Sequence, residues 1–212
     1  MTRGKGTYVV AKVDFKKTLK HLYSASAKEP AIVEVPAMSF AMVDGAGDPN
    51  GSAEFQQAME ALYPVSYTLK FMLKKSGLDY VVPPPEALWW MEGTDGFSMG
   101  RKDLWRWTLT VMQPDAVTPE LFAEAAAQVK AKRNPPGLSR LRFEGYDEGL
   151  SAQVLHLGPY AAEAATIEKL HAFARDRGYE LRGKHHEIYL SDPRRSAPEK
   201  MKTILRQPIV KA

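Results

Sequence analysis

Cysteine is absent from all 212 residues. That excludes a disulfide framework, a thiolate nucleophile and any Cys-ligated zinc or iron–sulfur centre, and it fits a reducing compartment. Nor is there an apolar run of signal-peptide length in the first 25 residues, or one of membrane-span length anywhere. The chain therefore reads as cytoplasmic, with no membrane association. Sequence signatures of nucleotide and hydrolase chemistry are missing as well. There is no G-x-G-x-x-G after a strand, no Walker A loop, no G-x-S-x-G and no H-E-x-x-H. The nearest glycine-rich piece, Asp44 to Gly51 (DGAGDPNG), carries two Asp and no Lys, and reads as a turn. His185, His186 and His156 do not converge at metal-ligand spacing, because neighbours on a strand diverge. Neither a metal nor a cofactor is expected.

What is present is an ordinary globular composition, 44% hydrophobic and 25% charged, with four Trp, nine Tyr and eight Phe. The formal charge is +4, but it is unevenly placed. Residues 1–30 and residues 193–212 each carry +5, which leaves 31–192 at −6. Nucleic-acid binding needs a basic folded surface, so basic ends on an acidic body argue against it. An acidic body instead favours cationic ligands.

Hydrophobic patterning gives the element order. Residues 1–30 form a basic lead-in in which Phe15, Leu19 and Leu22 sit at helical spacing among Lys16, Lys17 and Lys20. Residues 31–43 are extended. Ser52 caps a helix whose face is Phe55, Met59, Leu62, Leu69 and Leu73, with Ser66 in the one polar slot; Pro64 should kink or split it, and Gly77 ends it. Strands are expected at Ala87–Gly93 and Leu104–Met112, with a turn around Thr94-Asp95-Gly96. A helix should run from Pro119 to Lys132. Strands at 140–146 and 151–157, a helix at 160–177, an extended piece at 179–183 and strands at 186–191 and 203–209 complete the chain. From residue 31, and again from 151, the order is strand, helix, strand, strand. This predicts an α+β protein of two similar modules sharing one sheet, with helices on one side and a groove between the modules.

Candidate site residues follow from this order. In HEIYLS, Glu187 and Tyr189 share one strand face, and Ile188 and Leu190 the other. If the two aliphatic residues pack on the helices, Glu187 and Tyr189 face the open groove. A carboxylate among aromatics is partly desolvated and suits cation binding or general acid–base work. The competing reading is a Glu187 paired with Lys or Arg on a solvated face. Aromatic candidates are Trp89, Trp90, Trp105, Trp107, Tyr63, Tyr67 and Tyr160, which would stack flat or cationic ligands or simply pack the core. Adjacent Trp89 and Trp90 must point to opposite faces. Glu92, two residues after Trp90, is a candidate second carboxylate, or an exposed strand end.

Six segments carry a resemblance: VPAMSFAMVDGAGDPN, ALYPVSYTLKF, EALWWMEG, WRWTLTVMQPDAVT, HLGPYAAEAATIEKLHAF and GKHHEIYLSDPRRSAPEKMKTILRQPI. From about residue 10 to the C-terminus the chain resembles the GyrI-like small-molecule-binding family, in its stand-alone bacterial branch. The resemblance implies two pseudo-symmetric strand–helix–strand–strand modules on a shared antiparallel sheet, with a central groove for amphipathic, often cationic aromatic molecules. It implies one domain over 31–212, made of a first module at about 31–115, a linking helix at about 119–132 and a second module at about 140–210. Related domains in multidrug-responsive activators are fused to a DNA-binding winged helix, for which 30 residues are too few, so no DNA-binding domain is expected. Some stand-alone members hydrolyse cyclopropane-bearing alkylating toxins and so detoxify the cell. Carried over, Glu187 would activate water or hold the reacting group, Tyr189 would assist by hydrogen bonding, and the Trp residues would stack the ligand. A gyrase-inhibitory member implies the alternative, a non-catalytic module for a protein partner.

Overall fold

A computed structural model describes residues 12–93 and 100–212. The expected turn at Thr94-Asp95-Gly96 and the first 11 residues of the lead-in lie outside them. In chain order the helices are α1 (Phe15–Thr18), α2 (Lys20–Tyr23), α3 (Ala53–Lys75), α4 (Pro119–Lys132) and α5 (Ala164–Asp176). The strands are β1 (Ala31–Val35), β2 (Met38–Ala46), β3 (Glu86–Met91), β4 (Trp105–Gln113), β5 (Arg142–Tyr146), β6 (Gly149–Leu157), β7 (Tyr179–Leu181), β8 (His185–Tyr189) and β9 (Lys202–Lys211). They form one antiparallel sheet in the order β1-β6-β9-β8-β3-β4-β2-β5, with β7 attached to β9. The order is pseudo-symmetric about the β3–β8 pair. Each half also gives its leading strand to the other, since β1 runs beside β6 and β5 beside β2. The halves are thus joined at three places.

Helix α3 shows how local chemistry and packing combine. The Ser52 hydroxyl accepts from the Phe55 N–H at 3.2 Å, and Glu54 lies in the positive first turn. Ser76 ends the helix, and Gly77 leaves it at φ 96°. Of the kink or split expected at Pro64, the split does not occur: α3 runs as one 23-residue element. An internal proline costs about 3 kcal/mol. Leu62, Val65 and Leu69 around it are fully buried, and each of these side chains contributes roughly 1.5–3 kcal/mol. Packing on both sides of the proline therefore outweighs the lost hydrogen bond.

Alternation along the strands assigns the faces. On one face Ala41, Val43, Trp89, Trp107, Leu109 and Val111 pack beneath α3 and α4, while Ala152, Val154, Leu205 and Ile209 pack beneath α5. On the other face Ile188, Ile204, Phe40 and Met42 meet the lead-in, through Leu22 and Tyr23 of α2 and Phe15 of α1. The single amphipathic helix expected at residues 15–22 is broken at Leu19 (φ −106°, ψ 43°), so two short turns follow the sheet. Ile188 consequently packs under the lead-in and not under α3 or α5, which corrects the premise used for Glu187.

A closed charge network lies on the lead-in face. His186 bridges Glu86 Oε2 and Glu148 Oε2, both at 2.9 Å. The Tyr23 hydroxyl donates to Glu86 Oε1 at 2.8 Å, and Arg206 Nη1 donates to Glu148 Oε2 at 3.2 Å. Arg206 also donates to the Leu22 carbonyl and to Gln153 Oε1. These four ionisable side chains and Tyr23 are essentially buried. Two carboxylates against an imidazolium and a guanidinium leave no net charge, which buried ions require. Burial opposes the charge on His186, but Glu148 and Glu86 together outweigh it and hold the imidazole at about 9. Burial likewise opposes the Glu148 carboxylate, and His186 with Arg206 brings it to about 2.

Two outcomes are expected from these contacts. Because the His186 value is raised from 6.5, its stabilisation is complete below that pH and fades as pH climbs toward 9. Because the Glu148 value is lowered from 4.5, its stabilisation holds above that pH and fades toward pH 2. Thermal denaturation across pH should show a plateau near pH 5–6 with both limbs falling; in His186→Gln the alkaline fall should vanish, at an overall loss of about 3–5 kcal/mol. Separately, a Cβ on Gly45 would lie 2.1 Å from the Trp107 ring, so Gly45→Ala should lower urea-melt stability by about 1–3 kcal/mol.

Candidate functional site

The site is built on strand β8, where His185, Glu187 and Tyr189 share one face. Glu187 pairs in register with Leu205 of β9, whose side chain belongs to the core under α5. Tyr189 packs into the core under α3. The face that carries Glu187 and Tyr189 is therefore the face of the two long helices, at the line where their territories meet. Across the seam Glu187 stands opposite Ala87 of β3, whose small side chain leaves room beside it.

A hydrogen-bond relay ends on the carboxylate. Trp89 Nε1 donates to the Tyr189 hydroxyl at 3.2 Å, and that hydroxyl donates to Glu187 Oε2 at 2.7 Å. His185 Nε2 lies 3.6 Å from Glu187 Oε1. Glu187 is 6% exposed, and among the described residues no Lys or Arg pairs with it. The solvated ion-pair reading of Glu187 therefore does not apply. Tyr189 is held well above its ordinary range, by burial first and by Glu187 next. It stays a neutral donor at any pH the protein meets.

Around this relay stands an aromatic wall. Tyr160, in the turn before α5, meets Tyr189 edge-on at 5.5 Å, and burial pushes its hydroxyl up to about 12. Trp105 meets Trp89 edge-on at 5.3 Å, and Phe55 of α3 stacks on the other side of Trp89 at 6.4 Å. On α3, Tyr63 stacks on Tyr67 at 6.4 Å, and Tyr67 lies 6.5 Å from Phe71.

The structure adds a residue that the sequence reading did not name. Glu163, at the start of α5, is 1% exposed. Its Oε1 has no hydrogen-bond partner among the described residues. Burial first, and then the Glu187 carboxyl, pushes it well above the ordinary carboxyl range. Burial thus favours the neutral acid form of Glu163. In the sequence, Glu163 looks like any acidic residue in a helix first turn.

Other candidates are placed elsewhere. Trp90 points to the lead-in face, with Lys184 Nζ 3.7 Å above its ring centre. Glu92 is exposed and paired with Arg106 at 2.9 Å, so it supplies no second carboxylate beside Glu187. Trp107 is fully buried under α3, where Phe55 meets it edge-on at 5.1 Å. Tyr67 is 46% exposed, within the row of α3 rings that it shares with Tyr63 and Phe71. A cavity of about 420 Å³ opens beside Trp90, lined also by Arg106, Arg142, Asp44 and Lys184. It is separated from Glu187 by the sheet. The histidines considered as metal ligands are engaged: His156 bonds Thr166 Oγ1 and the Pro159 carbonyl, and His186 lies in the buried network. Among the described residues no cluster of three His, Cys, Asp or Glu could hold a metal ion, and no helix is long and apolar enough to cross a membrane.

Comparison with known proteins agrees with this fold. A conserved protein of Listeria innocua is 41% identical over 94% of this chain and all of its own, with a TM-score of 0.87. Another L. innocua structure, described as a hydrolase, is 39% identical over the same shares, with a TM-score of 0.85. The C-terminal domain of the regulator EcmrR shares the fold at 14% identity and a TM-score of 0.55, over 87% of this chain and 98% of its own. Among curated proteins none matches significantly. The model of the GyrI-like small molecule binding domain matches residues 28–208, a span that takes in the whole sheet up to the end of β9's pairing with β6, and on that match the chain belongs to the GyrI-like family.

Proposed function

We propose that this protein binds amphipathic aromatic molecules, cationic ones among them, between α3 and α5, and hydrolyses cyclopropane-bearing alkylating toxins there. The observation that carries the reading is the Glu187 carboxylate, buried without a Lys or Arg partner among the described residues and bonded to the Tyr189 hydroxyl, whose own neighbours are Trp89 and Tyr160. A buried carboxylate with neither Lys nor Arg beside it is costly. An organic cation offers both the missing charge and a flat surface for the rings, through cation–π attraction. The −6 charge of residues 31–192 attracts the same ligands at longer range. The description of an L. innocua relative as a hydrolase supports turnover, without naming a substrate.

The chemistry fits the relay. A water oxygen bonds to a cyclopropane carbon while the strained carbon–carbon bond breaks. The electron pair passes into the conjugated carbonyl of the substrate, whose oxygen takes up a proton. Glu187 accepts the proton lost by water, and the Tyr189 hydroxyl holds Glu187 Oε2 so that Oε1 faces the water. The product is the substrate plus one water, with no redox change.

The test is to mix the protein with a flat cationic dye and, separately, with a cyclopropane-bearing alkylator, while following Trp fluorescence and product mass. Wild type should quench with both and give a product one water heavier. Glu187→Gln should lose about 10²–10⁴-fold in turnover. Tyr189→Phe should lose about tenfold, roughly the worth of one hydrogen bond to a charged group. Quenching without product would remove the hydrolytic part and leave a binding protein. No response to either compound would overturn the groove reading.

A further inference from the structure

The cavity beside Trp90 takes no part in the groove chemistry, and the sheet separates the two. Its volume of about 420 Å³ is that of a small-molecule site. Strand register builds its floor. Trp90 of β3 stands opposite Arg106 of β4, and Arg106 stands opposite Ala46 of β2. Asp44 and Ala46 alternate onto this face with Phe40 and Met42, while Gly45 between them backs onto Trp107. Ala46 carries only a methyl group, which leaves the space above the floor open. Lys184, one residue before β8, reaches over the Trp90 ring.

The charges around this cavity are unequally satisfied. Arg142 donates to Asp44 Oδ2 and to Glu144 Oε2, both at 2.6 Å, and the Thr108 hydroxyl donates to Asp44 Oδ1 at 2.7 Å. Arg140 holds Glu54, and Arg106 holds Glu92 at 2.9 Å. Each carboxylate at the cavity therefore has an arginine. Lys184 has no such partner: among the described residues no Asp or Glu forms an ion pair with it, and its Nζ rests 3.7 Å from the Trp90 ring centre. Burial lowers the pKa of its amine from the ordinary lysine value, as befits a cation that has lost part of its water. Among the charges lining the cavity, Arg106, Arg142 and Lys184 outnumber Asp44 and Glu54 by one. Glu92 and Glu144 lie outside the lining, with side chains 73% and 56% exposed, and water screens them.

We propose that this cavity is a second ligand site, for flat aromatic molecules that carry a single carboxylate. Lys184 and the Trp90 ring lie together, so one ligand meets both. Its carboxylate accepts a charge-assisted hydrogen bond from the ammonium, and its rings lie against Trp90 and Ala46. The one surplus positive charge of the lining sets the single negative charge of the ligand. A second negative charge would face Asp44 and Glu54 with no cation to spare. The site thus takes ligands of the sign opposite to those of the groove across the sheet, and it stands independently of the groove reading.

2-Naphthoate and 2-naphthamide share one ring system and differ in charge, which makes them a matched pair of probes. Calorimetric titration of the full chain should show 2-naphthoate bound about tenfold or more tightly than 2-naphthamide, roughly the worth of one hydrogen bond to a charged group. Lys184→Gln, with folding confirmed by its thermal melt, should bind 2-naphthoate only as weakly as 2-naphthamide, and should keep the wild-type response to a flat cationic dye. Lys184→Arg should restore most of the lost affinity, and Trp90→Leu should weaken both probes. The cationic dye should not displace 2-naphthoate. Failure of wild type to bind 2-naphthoate overturns the proposal, as does equal affinity for the two probes. Affinity for 2-naphthoate that survives Lys184→Gln also overturns it, and so does displacement by the dye, which would put the acid in the groove. Binding of 2-naphthoate without any response to the dye upholds this site and overturns the groove reading alone.

Discussion

The pairing of β3 with β8 is the contact on which the rest of the molecule depends. It is the seam between the two halves of the sheet, and its register sets both faces at once. On the lead-in face it brings Glu86 beside His186, so that the imidazole closes a neutral network with Glu148 and Arg206. On the helix face it places Trp89 within reach of Tyr189, and Tyr189 on Glu187. A slip of one residue would turn every side chain of the strand over. It would bury Glu187 under the lead-in and expose His186 to the aromatic wall. The charge network and the relay are therefore two consequences of one register, and the network resists the slip that would destroy the relay.

The two faces solve opposite electrostatic problems with similar residues. Below the sheet, each buried carboxylate is matched by a cation of the protein, and the result is structural. Above it, Glu187 is buried without a matching Lys or Arg among the described residues. One face is thus closed in charge, and the other keeps a buried carboxyl with no Lys or Arg of the protein beside it. Burial raises the cost of that arrangement and also raises what a cation gains by entering it. Exchanging leading strands between the halves, β1 to β6 and β5 to β2, helps the fold carry that cost.

Much of the fold was legible in the sequence because its elements obey local rules. The Pro119–Lys132 helix begins at a Thr-Pro cap and ends where expected. Strand β4 alternates cleanly, and Ser52 caps α3 as its position suggests. Glu187 and Tyr189 were found on one strand face by the same period of two. The side of the sheet they meet was not legible, since period two separates faces without naming them. Whether Ile188 packs under α5 or under the lead-in depends on where Leu22 and Tyr23 fold back, a contact more than 160 residues apart in the chain. Glu92 illustrates the same limit, because a strand that ends at Met91 leaves it in solvent beside Arg106.

The sequence by itself determined the composition of the body, the absence of thiol chemistry, the order of helices and strands, the family and the pairing of Glu187 with Tyr189 on one face. These follow from residue type and short-range spacing, which act before the chain closes on itself. Only the tertiary structure decided that Trp89 and not Trp90 joins Tyr189, that Glu163 is buried with one oxygen unpartnered among the described residues, and that His186 is a buried cation between two carboxylates. Each depends on residues distant in sequence meeting in a water-poor interior. There the ionisation of a carboxyl is set by what surrounds it, and spacing along the chain says nothing of that.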